Sequence, residues 1–271
     1  MLVAPRVRKL LADNPGPYTG PGTNTYLVGE RELVVIDPGP DSVEHIDRIV
    51  TTVGELGARV ALILVTHHHS DHLAGADRLR RRTGAPLAAH DGIRHIDRAL
   101  RHGQHVPADG EWLEVIATPG HASTHLCFLD RPRELLFSGD HILGKGTAVV
   151  YPPDGDMQAY LDSLYLLRRY PIRRLLPGHW DPVEDGPAKI TEYIDHRLMR
   201  EREVLAALHL GATRIEAIVA RIYPDLDPRL VGAAGGSVHA HLLKLAREGR
   251  VVQHGEHWYL SDRERAAPEP L

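Results

Sequence analysis

The chain has 271 residues, 42% hydrophobic and 25% charged, with a formal net charge of -4. This composition supports a sizeable core and excludes a disordered chain or a strongly basic nucleic-acid binder. Its one cysteine, Cys127, excludes an internal disulfide, and the longest apolar run, Val60 to Val65, is far short of the roughly 20 residues a membrane span needs, so the expectation is a cytoplasmic protein that engages no membrane.

In chain order, Leu33 to Ile36 is rich in β-branched residues and ends in the turn signal Asp37-Pro38-Gly39-Pro40, which predicts a strand. From Ser42 the apolar residues Val43, Ile46, Ile49, Val50, Val53 and Leu56 recur at three- and four-residue spacing, with Asp41 and Glu44 spaced as a helix cap and its return partner. Val60 to Val65 reads as a buried strand, so these elements make one βαβ unit with a parallel pair. Helices are predicted at about 72–83 and 92–101, on either side of a short strand at Leu87 to Ala89. Trp112 to Ala117, His125 to Leu129 and Leu135 to Phe137 read as strands, Asp156 to Tyr170 as a helix, Arg174 to Leu176 as a strand and Gly186 to Leu210 as a long helix. Beyond Gly211 the character changes. Thr213 to Ile222 and Ser237 to Glu248 read as helices and Arg250 to Leu260 as two strands around Gly255, which together resemble a winged-helix unit. The expected division is therefore 1–210 and 211–271, the second part ending in a frayed tail from Arg263 to Leu271.

The chain holds 19 histidines against 3 methionines and 2 phenylalanines, and several of them cluster. Thr66-His67-His68-His69-Ser70-Asp71-His72 follows directly on the second strand of the βαβ unit, at the strand end where open α/β sheets place their ligands. Extended backbone alternates side-chain direction, so His67 and His69 point the same way and can chelate one ion, while Asp71 and His72 open the next helix and reach a second position. Imidazole and carboxylate without thiolate suit zinc, with manganese or iron as alternatives.

Thr66 to His72 matches the signature of the metallo-β-lactamase superfamily, and later segments resemble its remaining ligand motifs: Pro119-Gly120-His121, Phe137-Ser138-Gly139-Asp140 and Pro177-Gly178-His179. The resemblance implies an αββα sandwich, in fold class an α/β metallo-β-lactamase sandwich with a C-terminal winged-helix-like domain. It also implies two divalent metal ions, most simply Zn2+. His67, His69 and His121 would hold one and Asp71, His72 and His179 the other, with Asp140 shared; Asp71 and Asp140 are then the catalytic carboxylates. A narrower resemblance, carried by Gly22 to Val28, Leu143 to Thr147 and Asp154 to Leu161, is to the lactamase-β-like protein 2 branch, which implies an endoribonuclease acting on single-stranded RNA. Fungal polyketide-releasing thioesterases stand near that branch, so a thioester or small ester is the alternative substrate. The commonest zinc β-lactamases carry a cysteine where this chain has Asp140, which disfavours antibiotic hydrolysis.

Two divalent ions, two carboxylates and one bridging hydroxide carry a charge of about +1, and metal coordination lowers the pKa of water from 15.7 to about 7. The expected chemistry is hydrolysis by that hydroxide, with RNA phosphodiesters placed ahead of thioesters and a metal-bound DNA-binding regulator as a distant third. The leaving-group acid stays open among His68, His125, His141, Lys145 and Tyr151, with His125 and His141 read as orienting partners of the ligands. Arg78, Arg80, Arg81 and Arg82 read as a solvated helix face and Cys127 as a buried small hydrophobe. From 211 onward eight basic residues match eight acidic ones. A neutral unit of this kind is a poor reader of duplex DNA, so packing on the catalytic part or lining its substrate groove is the expected role.

Overall fold

Strands that bury side chains on both faces demand a layer on each side, and that requirement builds this molecule. The structure, a computed structural model, describes residues 1–266. A seven-stranded sheet runs in sequence order through β1 (Leu2–Ala4), β2 (Val7–Leu11), β3 (Asn24–Val28), β4 (Glu32–Ile36), β5 (Arg59–Leu64), β6 (Leu87–His90) and β7 (Arg98–Leu100). Its first four strands pair antiparallel and β4 to β7 pair parallel. The facing five-stranded sheet has β8 (His105–Ala108), β9 (Glu111–Ala117), β10 (Leu126–Asp130), β11 (Leu135–Gly139) and β12 (Arg174–Pro177), antiparallel except for the parallel pair β11 and β12.

Alternation sorts the core into layers. Tyr26, Val34, Ile36, Leu62 and Leu64 of the first sheet meet Leu113, Val115, Phe128, Phe137 and Leu176 of the second between the sheets. The opposite faces are covered by helices. Leu27, Leu33, Val35 and Ile63 pack under Ile46 and Ile49 of α1 (Val43–Glu55) and Leu79 of α3 (Ala76–Thr83). Ile116, Cys127, Leu129 and Leu136 pack under α4 (Met157–Leu167) and α5 (Gly186–His209) through Met157, Tyr160, Leu164, Ile190 and Tyr193. Each large apolar side chain so buried contributes about 1.5–3 kcal/mol. The αββα sandwich is thus present, and Cys127 is fully buried within it. Among the described residues no helix is long and apolar enough to cross a membrane.

The C-terminal unit has α6 (Ile215–Ile222), α7 (Val231–Arg247), the hairpin β13 (Val251–His254) and β14 (His257–Leu260), and a short α8 (Asp262–Arg265). Its core gathers Ile218, Val238, Leu242, Leu245 and Trp258, and the last turns of α5 add Val204, Leu205 and Leu208. α7 also reaches the sandwich, where Ala240 joins the core beneath α4 and Arg247 pairs with Asp156 at 2.6 Å.

Several elements differ from the sequence expectation. No helix forms over 92–101: Asp97 exchanges hydrogen bonds with Leu87, its backbone N–H donating to the Leu87 carbonyl and its carboxylate accepting from the Leu87 N–H, and this locks Arg98–Leu100 beside β6. The helical spacing of Ile93, Ile96 and Leu100 yields there to strand pairing. The predicted helix over 72–83 is two pieces, a short α2 (Ser70–Leu73) and α3. Ser42, not Asp41, caps α1 by accepting from the His45 N–H, while Asp41 pairs with Arg78. α7 starts at Val231, six residues before the expected Ser237, through a glycine-rich stretch that hides its periodicity. The expected tail begins as α8, and residues 267–271 lie outside the described residues.

Candidate metal centre

Strand ends deliver every donor to one edge of the sandwich. β5 runs into His67 and His69, α2 carries Asp71 and His72, the loop after β9 carries His121, and Asp140 and His179 follow β11 and β12 within two residues. The structure brings all seven sequence-predicted residues together. Nε2 of His67 and Nε2 of His121 lie 2.9 and 3.0 Å from Nδ1 of His69. Nε2 of His179 lies 3.2 Å from Oδ2 of Asp71 and 3.3 Å from Nε2 of His72. Asp140 stands between the groups, with Oδ1 3.3 Å from His72 Nε2 and Oδ2 3.3 Å from His179 Nε2 and 3.9 Å from His121 Nε2. His67, His69 and His121 form one donor group, Asp71, His72 and His179 another, and His67, His72 and Asp140 a third, with donor atoms in each within 4.8 Å of one another. At Gly178 a Cβ would stand 2.5 Å from Oδ1 of Asp140 and 2.6 Å from the His72 ring, so only glycine lets this edge close.

The outward ring nitrogens fix which way the lone pairs point. His121 Nδ1–H donates to the Val149 carbonyl at 2.6 Å and His179 Nδ1–H to the Gly22 carbonyl at 3.0 Å. His72 Nδ1–H donates to Oδ2 of Asp37 at 2.8 Å. Thr66 Oγ1 donates to that same Oδ2, leaving its lone pairs for His67 Nδ1–H at 2.9 Å. In their neutral forms these four imidazoles therefore turn Nε2 lone pairs towards one another, which is repulsive unless a cation sits among them. Nitrogens on a tetrahedral zinc at about 2.0–2.1 Å stand about 3.3 Å apart, close to the spacing found here. Donor chemistry and spacing both fit a divalent ion.

Electrostatics divides the donors into two kinds. Burial, with the neighbouring His72, pushes His67 well below the ordinary imidazole value; burial and His121 bring His69 to about 4, and burial lowers His121. Burial also opposes charge on His72, but Asp140 and Asp37 outweigh it and hold His72 well above the ordinary value; Asp140 likewise carries His179 up to about 9. Burial works against ionisation of Asp140, yet His179 and His72 hold its carboxyl well below the usual range.

A model of the metallo-β-lactamase superfamily matches residues 18–179 and one of the β-lactamase associated winged helix domain matches residues 215–258. The chain belongs to the metallo-β-lactamase superfamily. It is 32% identical over 257 residues to a Beta-lactamase-like protein 2 homolog from Caenorhabditis elegans, covering 90% of this chain and 85% of that one. It is 37% identical over 211 residues to an Atrochrysone carboxyl ACP thioesterase from Aspergillus chevalieri, covering 76% and 67%. A Beta-lactamase domain protein from Burkholderia ambifaria shares the fold at a TM-score of 0.85 and 21% identity, over 96% of this chain and 93% of that one.

In this metallo-β-lactamase-fold hydrolase a cleft of about 820 Å³ opens over the donors, with Leu143, Ala148, Val149, Leu230 and Ala233 in its walls, Tyr18, Tyr151 and Trp180 around it, and Lys145 and Asp154 at its polar side. A separate 560 Å³ depression around Trp112 and Arg131 holds none of the donors. Of the candidate acids, Lys145 and Tyr151 line the cleft. His125 does not: it is buried, its Nε2 accepts from the Asp140 N–H at 3.1 Å and its Nδ1 faces Thr118 Oγ1 at 2.8 Å, so it orients the Asp140 backbone. His141 is buried beside it and packs on Tyr160 with ring centroids 4.5 Å apart. His68 turns its Nδ1 to Thr124 Oγ1 at 2.8 Å and stands edge-on to His69, with ring centroids 5.0 Å apart. Arg78, Arg80 and Arg82 pair with Asp41, Asp97 and Asp47 on the surface.

Asp37 is the residue the sequence reading missed. It lay in view as the first residue of a turn signal, and the structure places it at φ 51° with its carboxylate under His72 and Thr66. A carboxylate at the end of a strand parallel to the one that carries the histidines is the signal that was available.

Proposed function

We propose that this protein is a dinuclear metal-dependent hydrolase of acyl thioesters or related small esters. In this reading His67, His69 and His121 hold one divalent ion, Asp71, His72 and His179 the other, and Asp140 both; zinc suits the donors, with manganese or iron as alternatives. The ions supply, when bound, a water of lowered pKa and a Lewis acid for the carbonyl oxygen. The catalytic unit is residues 1–210 and the winged-helix-like unit 211–271.

The observation that carries the substrate class is the cleft. Leu143, Ala148, Val149, Leu230 and Ala233 give it an apolar side, and Lys145 is its one basic side chain other than the donor histidines among the described residues, whereas a groove for single-stranded nucleic acid tracks several phosphates with a run of positive charge. The leaving group argues the same way. A thiol with a pKa near 8.5 departs as thiolate at neutral pH and needs no acid, while an alkoxide requires a proton donor, a part that falls to Lys145 or Tyr151 in the cleft because His125 and His141 are buried away from it. The chain's own part is to hold the donors in place: Val149, Gly22, Asp37 and Thr66 turn ring lone pairs inward. The apolar walls exclude water from the acyl side, and Lys145 attracts an anionic arm on the carrier thiol. A relative named Atrochrysone carboxyl ACP thioesterase, 37% identical, supports the thioester reading.

Single-stranded RNA is the second reading. It is favoured by three aromatic side chains around the cleft, of which Tyr18 and Tyr151 are more than half exposed and available for base stacking. The deciding experiment sets the metal-loaded enzyme and its Asp140→Ala variant against an acyl thioester, unstructured RNA and a β-lactam. Thioester turnover lost in the variant is the expected result. Cleavage of RNA alone, also lost in the variant, reverses the order of the two readings.

A further inference from the structure

α7 opens with Val231-Gly232-Ala233-Ala234-Gly235-Gly236, three glycines in six residues at a place where helix propensity disfavours each of them. Gly236 has an internal reason: a Cβ there would stand 2.2 Å from the Tyr151 ring. Gly232 has none. It is exposed, nothing lies within 4 Å of a Cβ built on it, its φ needs no glycine, and it faces the cleft beside Leu230 and Ala233. The same cleft holds Asp140, nine-tenths buried, whose Oδ1 has no hydrogen-bond partner of acceptable geometry although His72 Nε2 lies 3.3 Å away. The empty space at Gly232 therefore opens on the reacting end of the molecule. A volume of about 820 Å³ is far larger than an acetyl group requires and lies in the range of pockets that enclose a whole ligand of a few hundred Å³ or more.

Resting on the thioesterase reading above, we propose that Leu230, Gly232 and Ala233 of the winged-helix-like unit form the acyl-side wall of the cleft, and that Gly232 keeps it wide enough for a bulky apolar acyl group. The C-terminal unit then acts in substrate selection and needs no nucleic acid to explain its presence. The wall excludes large substrates when it is thickened and leaves small ones unaffected. Gly232→Leu thickens it at a position where the fold offers room, and Leu230→Ala thins it.

The test measures kcat/KM of the metal-loaded wild type and both variants on acetyl and decanoyl thioesters of N-acetylcysteamine. It also measures, by calorimetry, the affinity of the matching non-hydrolysable thioethers. Gly232→Leu is expected to lose at least about tenfold on the decanoyl thioester, to stay within about twofold on the acetyl thioester, and to weaken decanoyl thioether binding in step. Leu230→Ala is expected to hold or raise the decanoyl rate. Wild-type turnover with both substrates falling equally, or neither falling, in Gly232→Leu overturns the wall and leaves the thioesterase reading standing. A wild type that neither turns over the thioesters nor binds the thioethers overturns the thioesterase reading and this inference with it.

Discussion

Asp37 holds His72 by its Nδ1–H at 2.8 Å while the opposite ring nitrogen of His72 stands 3.3 Å from Asp140. One strand-end carboxylate thereby sets the tautomer of a donor on the far side of the ring. Asparagine tolerates the left-handed backbone that Asp37 adopts, but its amide in place of Oδ2 offers His72 Nδ1 a donor instead of an acceptor and forces the proton to Nε2. Asp37→Asn is expected to keep the fold and to weaken one ion by about 10- to 100-fold, which competition with a fluorescent chelator measures. Unchanged affinity for both ions would remove the orienting role.

The two donor groups should respond differently to pH. His69 is depressed to about 4 and His67 and His121 are also lowered, so this group gives up its protons more readily than free imidazoles and its metal affinity should vary less with pH than that of the other group. His179 is raised to about 9 and His72 is raised as well, so an ion entering beside Asp71 must displace protons, and its affinity should rise with pH until about 9, up to about tenfold per unit for each proton displaced. Acidification therefore empties this second group first. Chelator titrations at pH 6, 7 and 8 check the slopes, and equal slopes for both ions contradict the division.

Asp140→Ala removes the one carboxylate shared between the groups and is expected to lower turnover by orders of magnitude with the fold intact, read by steady-state kinetics beside circular dichroism. His68→Ala serves as the contrast. His68 reaches Thr124 and, at 3.7 Å, Asp154 through its ring nitrogens and belongs to none of the donor groups, so its loss is expected to cost no more than a few-fold.

Gly120, next to His121, sits at φ 137°, and a Cβ there would stand 2.3 Å from the Tyr160 backbone at the start of α4. Backbone cannot swing away as a side-chain tip does. Gly120→Ala is expected to lose about 2–4 kcal/mol of stability, measured by urea unfolding, and to disturb His121 through the same shift.

The sandwich was legible because its signals are local: β-branched runs ending in turns, and a helix whose apolar face repeats from Val43 to Leu56. The seven residues that the structure brings together were legible as candidates too, since His67 to His72 stand together and the other three close short motifs. What the sequence hid depends on distant partners. Ile93, Ile96 and Leu100 look helical until β6 claims the segment as a strand, and Asp37 looks like a turn residue until His72 is seen above it. Lys9 and Leu10 pair with Tyr26 and Thr25 across an N-terminal hairpin whose mixed polarity gave no strand pattern. The cleft's apolar character was hidden for the same reason, because Leu230 and Ala233 join Val149 in lining it only through the docking of α7.

The central claim is that two ions held by these seven side chains are what makes the protein a hydrolase. Its most direct test is to strip the protein with chelator, confirm by elemental analysis that it holds no metal, and follow thioester hydrolysis while zinc is added back in known amounts. The account predicts no turnover before addition and a rise that saturates at about two ions per chain. Full turnover in the stripped protein, or saturation at one ion with no gain from a second, contradicts it.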